Sequence, residues 1–295
     1  MTLRARTRLR RGDRGSRFLV PAVVILGLTS IYPTLYSIYM SFFDWNWGLR
    51  FNFVGLANYV ELATSERFRT ALWNTIVFTV SAVSVEFVLG LGLALVMTRV
   101  RVGQGMLRTL LLVPLMVSGI IVSVIWKVML DPTLGVLSYG LQLLGLPRLG
   151  FLGDPAMAMG TIVLLDTWWQ TAFVFIVLSA AVQALPVEPF EAAEMDGANS
   201  WQRFRFLTLP LLKPAILVVL MFRTVDCLKV FAIIYGTTGG GPLTTTESVQ
   251  ILAYRQAFKA LDMSGSMTTM VVFSAFALLV LAFYQRLLPS EGEAT

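Results

Sequence analysis

Five ionisable residues stand inside otherwise apolar stretches of this chain, and their chemistry is the first feature that needs an explanation. They are Glu86, Asp166, Arg223, Asp226 and Lys229. The last three follow one another at three-residue intervals, so a helix would carry them on one face. A charge at the centre of a bilayer costs about 2.5–3.5 kcal/mol on insertion scales, so these side chains must face protein or water. They either contact polar groups of a substrate along a path, or pair as a structural ion network, for instance Glu86 with Arg223 or Lys229.

A second group of residues, Trp168, Trp169 and Gln170, lies within one helical turn of Asp166. Indole rings offer flat apolar faces, and the amide and carboxylate offer hydrogen bonds. This combination suits a ligand that presents both apolar surface and polar groups. Core packing between helices is the alternative interpretation. Together with the five ionisable residues, these three form the candidate substrate path.

The chain lacks several of the residues that most often carry out catalysis. It has no histidine and a single cysteine, Cys227, so the commonest general base and metal ligand are missing. It also lacks the G-x-x-x-x-G-K-S/T loop that binds nucleotide phosphates. We therefore predict no enzymatic activity and no metal or cofactor bound by this chain. If ATP drives its function, ATP and Mg²⁺ bind a separate partner subunit.

Composition places these residues in membrane-spanning helices. The chain is 56% hydrophobic and only 14% charged over 295 residues, which is typical of a polytopic membrane protein. A span needs about 20 mostly apolar residues. We predict an all-α membrane domain over 18–288, preceded by a basic segment, 1–17, and followed by a short tail, 289–295. Six spans are predicted, at 18–43, 71–98, 107–130, 157–184, 214–236 and 267–288.

The placement of basic residues predicts the orientation of these spans. Seven arginines precede the first span and seven more basic residues fall in loops on the same side, against six on the other side. The positive-inside rule therefore puts both termini and an insert at 186–213 in the cytoplasm. The arginine-rich start is expected to lie near anionic lipid, and no nucleic-acid partner is predicted. The basic residues on the cytoplasmic side are Arg4, Arg6, Arg8, Arg10, Arg11, Arg14, Arg17, Arg99, Arg101, Arg108, Arg203, Arg205, Lys213 and Arg286.

The insert between the fourth and fifth spans reads as two short helices. Pro189 suits the first turn of the first helix, where its missing N–H is not needed. Gly197 supplies a left-handed stop. Asn199 or Ser200 is expected to cap the second helix, and Pro210 is expected to end it. The insert either docks another protein or lies on lipid as an interfacial connector.

The insert also carries a pattern at fixed spacing: Glu191-Ala192-Ala193, Gly197, Leu207 and Leu209-Pro210. This pattern resembles the cytoplasmic loop of binding-protein-dependent ABC importer permeases, specifically the carbohydrate-uptake group related to the maltose transporter. The resemblance implies the type I importer permease fold, with six transmembrane helices and a cytoplasmic coupling helix between helices 4 and 5. Further matches cover most of the chain, at 32–43, 54–59, 74–75 and 238–242.

The resemblance also implies partners and a location. A second homologous permease, two ATP-binding subunits and an extracytoplasmic sugar-binding protein or lipoprotein would complete the transporter in a bacterial or archaeal inner membrane. The ATPases would move the insert as a lever, so that the spans open alternately to the two sides. The residues expected to couple ATP hydrolysis to transport are Glu191, Ala192, Ala193, Asp196, Gly197, Leu207 and Pro210.

The segment 237–247 is too rich in glycine to be helical and too short to fold alone. A flexible linker is one interpretation. The resemblance instead implies that this outer loop meets the sugar-binding protein. Ala232 stands where many relatives carry an acidic or amide residue, and 263–266 departs from the family's usual Tyr-Gly pairing. The expected contacts to the binding protein are Gly239, Gly240, Gly241 and Pro242.

The substrate stays open at this level, because disaccharides such as trehalose or maltose, longer glucosides, polyols and glycerol-phosphate compounds all belong to the resembled group. Two other classes of protein are compatible with the residues. Inverted repeats or discontinuous helices would favour an ion-coupled secondary transporter, and neither is evident in the sequence. A non-transporting membrane scaffold would have no need of polar residues in the middle of its spans.

Overall fold

The computed structural model describes residues 13–47, 50–100 and 102–287. The arginines from Arg4 to Arg11, together with Arg101 and the tail at 289–295, lie outside the described residues. The predicted boundaries of the basic N-terminal segment and of the tail therefore stay predictions.

Within these residues the chain is almost entirely helical. The first elements are α1 (Asp13–Leu26), a π-helical turn (Gly27–Ile31), α2 (Tyr32–Met40), the hairpin strands β1 (Phe43–Asn46) and β2 (Arg50–Phe53), α3 (Ala57–Thr64) and α4 (Glu66–Met97). The middle of the chain forms α5 (Gln104–Leu112), a 3₁₀ turn (Pro114–Met116), α6 (Gly119–Met129), α7 (Val136–Leu143) and α8 (Pro155–Gln183). The remainder forms α9 (Glu188–Met195), α10 (Ser200–Arg203), a π-helical segment (Phe204–Thr208), α11 (Leu209–Leu228), α12 (Ala232–Thr237), α13 (Val249–Phe258) and α14 (Met263–Leu287).

Among the described residues, four helical segments have the length and apolar composition to cross a membrane. They are Leu19–Met40, Glu66–Met97, Pro155–Gln183 and Met263–Leu287. A fifth crossing exists if Gln104–Met116 and Gly119–Met129 count together as one span, although the two halves are bent by 94°.

The predicted third span, 107–130, is therefore wrong as a continuous helix. Pro114 starts a 3₁₀ turn, and Val117 and Ser118 are extended, with ψ of 137° and 139°. The carbonyl of Val117 is freed from the helix and accepts a hydrogen bond from the indole N–H of Trp169 at 3.1 Å. A break inside an apolar segment is tolerated where a neighbouring side chain satisfies the backbone in this way.

The predicted fifth span, 214–236, is also interrupted. Helix α11 ends at Leu228, and α12 begins only at Ala232. The carbonyl of Val230, between the two helices, accepts a hydrogen bond from the hydroxyl of Ser248 at 3.1 Å. Discontinuous helices are thus present in the fold although the sequence did not reveal them.

The described residues up to Thr64, with Arg255–Val272, form one compact unit. Its hairpin pairs β1 with β2, and Phe43 stacks on Phe51 with ring centroids 4.9 Å apart. The side-chain amide of Asn58 donates to the carbonyls of Ser41 and Phe43 at 2.8 and 2.9 Å. This hairpin is the one departure from the all-α prediction among the described residues.

The second unit consists of the described residues of Ser65–Tyr254 with those from Phe273 to Leu287. Helices α4 and α8 pack closely along their length. Gly90 permits this approach, because a Cβ at that position would lie 2.6 Å from a methyl group of Val174. Val174 lies in an apolar cluster with fully buried Leu178, and a second apolar cluster contains fully buried Phe78 and Ile162. These packed helices position the polar residues described next.

Candidate functional site

One arginine joins three helices through ion pairs inside the second unit. We call Glu86 on α4, Asp166 on α8, and Arg223 and Asp226 on α11 the Arg223 cluster. The guanidinium of Arg223 donates to both carboxylate oxygens of Glu86, at 2.7 and 2.9 Å, and to Asp166 at 2.9 Å. Its remaining terminal nitrogen donates to Asp226. Of the two partners considered for Glu86, the structure therefore selects Arg223.

Burial makes this cluster energetically important. Glu86 and Arg223 are 0% and 2% exposed and Asp166 is 5% exposed, whereas the side chain of Asp226 is 64% exposed. Removing such charges from water is costly, and the forked pairing with additional hydrogen bonds offsets that cost. Helices α4, α8 and α11 are thus held together by a network in which only Asp226 is open to solvent.

The cluster also has the donor set of a metal site, since Glu86, Asp166 and Cys227 place ligand atoms within 4.8 Å of one another. The arginine occupies that space instead. One terminal nitrogen of Arg223 donates to Glu86 and to Asp166, each at 2.9 Å, and to the sulfur of Cys227 at 3.2 Å. An internal cation therefore already neutralises these ligands.

A cavity of about 270 Å³ opens beside the cluster. Its lining includes Asp166, Trp169, Gln170, Asp226 and Lys229, which are five of the eight residues predicted for the substrate path. Carboxylates, an amide and an ammonium group face the same space as an indole ring. We call this space the Asp226 cavity, and it combines hydrogen-bond donors, acceptors and a flat apolar surface.

The other three predicted residues lie elsewhere. Glu86 and Arg223 are buried behind the cavity wall and pair with each other. Trp168 does not line the cavity and packs edge-on against Trp126, with ring centroids 5.3 Å apart. Residues two apart on a helix point about 200° apart, so Trp168 lies on the side of α8 opposite to Gln170, which lines the cavity.

Two further aromatic residues of the cavity, Phe78 and Phe231, were missed by sequence reasoning. Phe231 follows the break after α11, and its ring stacks on Tyr235 with centroids 5.1 Å apart. Its position two residues after the charged triad was the available signal. Ala232 also lines the cavity, so the departure noted in the sequence falls at this site.

The predicted two-helix insert forms, and its turns follow the expected chemistry. We call residues 186–213 the coupling loop. Gly197 adopts φ of +78° after α9. Asn199, rather than Ser200, caps α10, and its side chain and that of Gln202 exchange hydrogen bonds with each other's backbone N–H at 2.9 and 2.8 Å. Arg203 then pairs with Glu194 at 3.0 Å and ties the two short helices together.

The expectation that Pro210 ends the second helix is wrong. The helical chain continues from Ser200 through the π-helical segment into α11. Pro210 is the second residue of α11, and the π-helical segment Phe204–Thr208 directly precedes that helix.

The predicted coupling residues Glu191, Ala192, Asp196 and Gly197 are exposed, and Ala193 and Leu207 are half-buried. Large apolar side chains accompany them at the surface. Met195 is 88% exposed and Phe206 is 67% exposed. Exposed apolar side chains beside small residues are typical of a docking surface, and sequence reasoning did not single them out.

The glycine-rich loop is anchored rather than loosely extended. The carbonyls of Thr244 and Glu247 accept hydrogen bonds from the side-chain amide of Asn74, at 2.9 and 3.2 Å. The carboxylate of Glu247 is buried and accepts two hydrogen bonds from Arg67, each at 2.8 Å. At the tip, Leu243 is 85% exposed.

The four predicted contact residues of this loop are less exposed than its tip. Gly239, Gly241 and Pro242 are half-buried and Gly240 is buried. Gly240 has φ of +95°, and a Cβ there would lie 3.0 Å from Ile251, so only glycine fits this position.

Replacing Arg67 with glutamine is expected to loosen this loop. The change removes two charge-assisted hydrogen bonds to a buried carboxylate, so amide hydrogen exchange over 238–248 should accelerate on the order of tenfold. Arg69→Gln is the matched control, because Arg69 lies on the same helix and is exposed. Equal exchange in the two variants would show that Arg67 does not anchor the loop.

Known proteins resemble this chain over most of its length. The family model for the binding-protein-dependent transport system inner membrane component matches residues 86–290. The trehalose/maltose transport system permease protein of Thermococcus litoralis is 36% identical over 253 residues, which cover 85% of this chain and 86% of that protein.

Two solved structures have the same fold. One is a bacterial ABC transporter involved in the import of the acidic polysaccharide alginate, with a TM-score of 0.81 and 24% identity over 92% of this chain and 93% of that chain. The other is an alginate ABC transporter in complex with an alginate pentasaccharide-bound periplasmic protein, with a TM-score of 0.79 and 25% identity over 91% of each chain. The fold class predicted from the sequence is confirmed.

Proposed function

Since the chain belongs to the family of binding-protein-dependent transport system inner membrane components, we propose the cargo, partners and moving parts of its transport reaction. It is the permease subunit of a sugar ABC importer, as predicted, and this assignment decides against the ion-coupled transporter and the membrane scaffold. The broken helices do not favour an ion-coupled mechanism here, since family membership identifies an ABC importer.

The proposed complex contains a second, homologous permease, two ATP-binding subunits and an extracytoplasmic sugar-binding protein. The solved alginate transporter bound to its periplasmic protein supports the last of these partners. ATP and Mg²⁺ are proposed to bind the ATPase subunits, because this chain lacks a phosphate-binding loop. Both termini and the coupling loop are proposed to be cytoplasmic, on the basis of the basic residues that flank the spans.

The coupling loop is proposed to be the part that the ATPases move. Its outer surface presents Glu191, Ala192 and Met195, and small residues there allow a partner's groove to approach closely. The helical chain runs without interruption from Ser200 to Leu228, so a displacement of α10 is transmitted to Asp226 at the cavity. This continuous connection supports a lever that opens the spans alternately to the two sides.

The cargo is proposed to be a neutral carbohydrate, and the charge around the Asp226 cavity is the observation that carries this choice. Two carboxylates, Asp166 and Asp226, face the cavity, while the guanidinium that balances them is buried behind it. Lys229 supplies one positive charge against these two carboxylates, so a phosphate or carboxylate group would still meet net negative charge at the cavity surface. Sugar hydroxyls instead donate to Asp226 and accept from Lys229 and Gln170. The rings of Trp169 and Phe231 suit the C–H face of a pyranose.

We expect a neutral disaccharide, such as trehalose or maltose, to stimulate ATP hydrolysis by the transporter reconstituted with its binding protein. Lys229→Gln should lower the stimulated rate about tenfold, the value of one charge-assisted hydrogen bond. Lys229 is exposed and lies after the end of α11, so the change should not disturb folding.

Trp168→Phe is the control for this experiment, because Trp168 faces away from the cavity and should leave the stimulated rate unchanged. Stimulation by sn-glycerol 3-phosphate, lost in Lys229→Gln, would contradict the neutral cargo. Equal loss in both variants would contradict the placement of the path.

A further inference from the structure

A second, larger space lies beside the coupling loop. It is a groove of about 660 Å³ between the C-terminal ends of α4 and α8 and the helices of the loop. Its walls are mostly apolar and include Leu185, Phe190 and Phe204. Thr98, Arg99 and Arg203 also line it. We call it the Arg99 groove.

Arg99 gives this groove a positive charge that no described carboxylate compensates, and Arg203, which pairs with Glu194, adds further guanidinium N–H groups. Arg99 lies two residues after the end of α4 and is exposed, and its side chain makes no ion pair with any described residue. Arg203 donates one hydrogen bond to Glu194, which leaves further N–H groups of its guanidinium for a ligand. Thr98 adds a hydroxyl group beside Arg99.

The position of the groove restricts what can occupy it. Helices α4 and α8 are two of the segments that are apolar and long enough to cross a membrane, and the groove lies where both of them end. It is therefore placed at the boundary between hydrocarbon and water. A ligand that satisfies all of its walls needs an anionic group for the arginines and a long apolar part for Leu185, Phe190 and Phe204.

We propose that the Arg99 groove binds an anionic phospholipid of the cytoplasmic leaflet. Its phosphate pairs with Arg99 and Arg203, and an acyl chain lies along the apolar wall. Basic pockets between transmembrane helices on the cytoplasmic side bind anionic headgroups in this way. The inference rests on the proposed orientation, in which the coupling loop is cytoplasmic. Free phosphate would use the arginines but leave the apolar wall bare.

Such a lipid has a consequence for transport, because the groove bridges the ends of two spans and the base of the coupling loop. Leu95 and Thr98 belong to the end of α4, Leu185 follows α8, and Phe190 and Phe204 belong to the loop. A lipid seated among them stabilises one position of the loop relative to the spans. Anionic lipid therefore regulates how readily the loop moves.

The test is lipid binding by the purified complex, measured by native mass spectrometry during titration with phosphatidylglycerol. Phosphatidylcholine with the same acyl chains is the neutral comparison. We expect Arg99→Gln to weaken phosphatidylglycerol binding about fivefold, the value of one arginine at a membrane surface, and to leave phosphatidylcholine binding unchanged. Arg69→Gln removes the same charge at the opposite end of the same helix, and should leave binding of both lipids unchanged.

A second variant covers the apolar wall. Val187 is 62% exposed and lines the groove, so Val187→Glu should fold normally and repel an anionic headgroup. It is expected to weaken phosphatidylglycerol binding at least as much as Arg99→Gln. Release of the bound lipid by millimolar inorganic phosphate would identify a phosphate site without a lipid and overturn the proposal.

Equal affinity for the two lipids, or equal loss in Arg99→Gln and Arg69→Gln, would also overturn it. A partner subunit that closes the groove would leave no phosphatidylglycerol bound at Arg99, and that result would overturn the proposal as well. The measurement needs neither sugar nor ATP. Failure of the sugar experiment with intact lipid selectivity would therefore refute the cargo alone.

Discussion

Valine in place of Gly197 is expected to abolish sugar uptake while the chain still inserts into the membrane. Gly197 has φ of +78°, and nothing lies within 4 Å of a Cβ built there. Valine is therefore disfavoured by the backbone conformation at this position and not by a steric clash with neighbouring atoms. A left-handed conformation costs an L-residue about 1–2 kcal/mol, and β-branched residues are genuine outliers there.

The strain is relieved by rotating α9 away from α10. That movement breaks the hydrogen bonds that the backbone N–H groups of Gly197 and Ala198 donate to Glu194 and Ala193, at 3.1 and 2.9 Å. The docking surface then loses its shape. Uptake of labelled sugar by cells, together with immunoblots of the membrane fraction, measures transport and insertion separately.

Gly197→Asn is the matched control for this variant. Asparagine adopts the left-handed conformation more readily than other residues, so it should retain a substantial part of the uptake. Normal uptake by Gly197→Val would refute the lever role of this turn. Equal loss in both variants would show that the surface, and not the backbone conformation, matters.

Glutamine in place of Arg223 is expected to destabilise the folded permease by about 3–5 kcal/mol, the cost of removing one partner from a buried ion pair. Glu86 and Asp166 would remain buried without a cation, and helices α4, α8 and α11 would lose their common partner. Unfolding of the purified complex in detergent, followed by tryptophan fluorescence, measures the change.

Two further variants separate charge from geometry. Arg223→Lys keeps the charge but cannot donate the forked pair to Glu86, so its stability should lie between those of the wild type and Arg223→Gln. Lys229→Gln removes a nearby exposed charge and should unfold like the wild type. An Arg223→Gln protein that unfolds at the wild-type temperature would show that the cluster does not stabilise the bundle.

Parts of the fold that depend on neighbouring residues were predictable from the sequence. Gly197 and Asn199 specify a left-handed stop and a helix cap through their own chemistry, and both occur as expected. The long apolar runs of α4, α8 and α14 predict spans in the same way, although the structure shifts their ends. The absence of a phosphate-binding loop also needs no structure to be recognised.

Features that depend on distant residues were not predictable in this way. The breaks after Met116 and Leu228 are stabilised by Trp169 and Ser248, which lie farther along the chain and satisfy the freed carbonyls. Pro210 was predicted to end a helix because the sequence gives no sign of the π-helical segment before it.

The ion pairs of the candidate site show the same division. The sequence established that five charges lie in apolar segments and must be paired or solvated, because the bilayer makes any other arrangement costly. Only the packing of α4, α8 and α11 decided that Arg223 is the common partner and that Lys229 lines the cavity instead. A pairing between helices depends on the rotation of each helix about its axis, and that rotation is set by close packing, as at Gly90 and Val174.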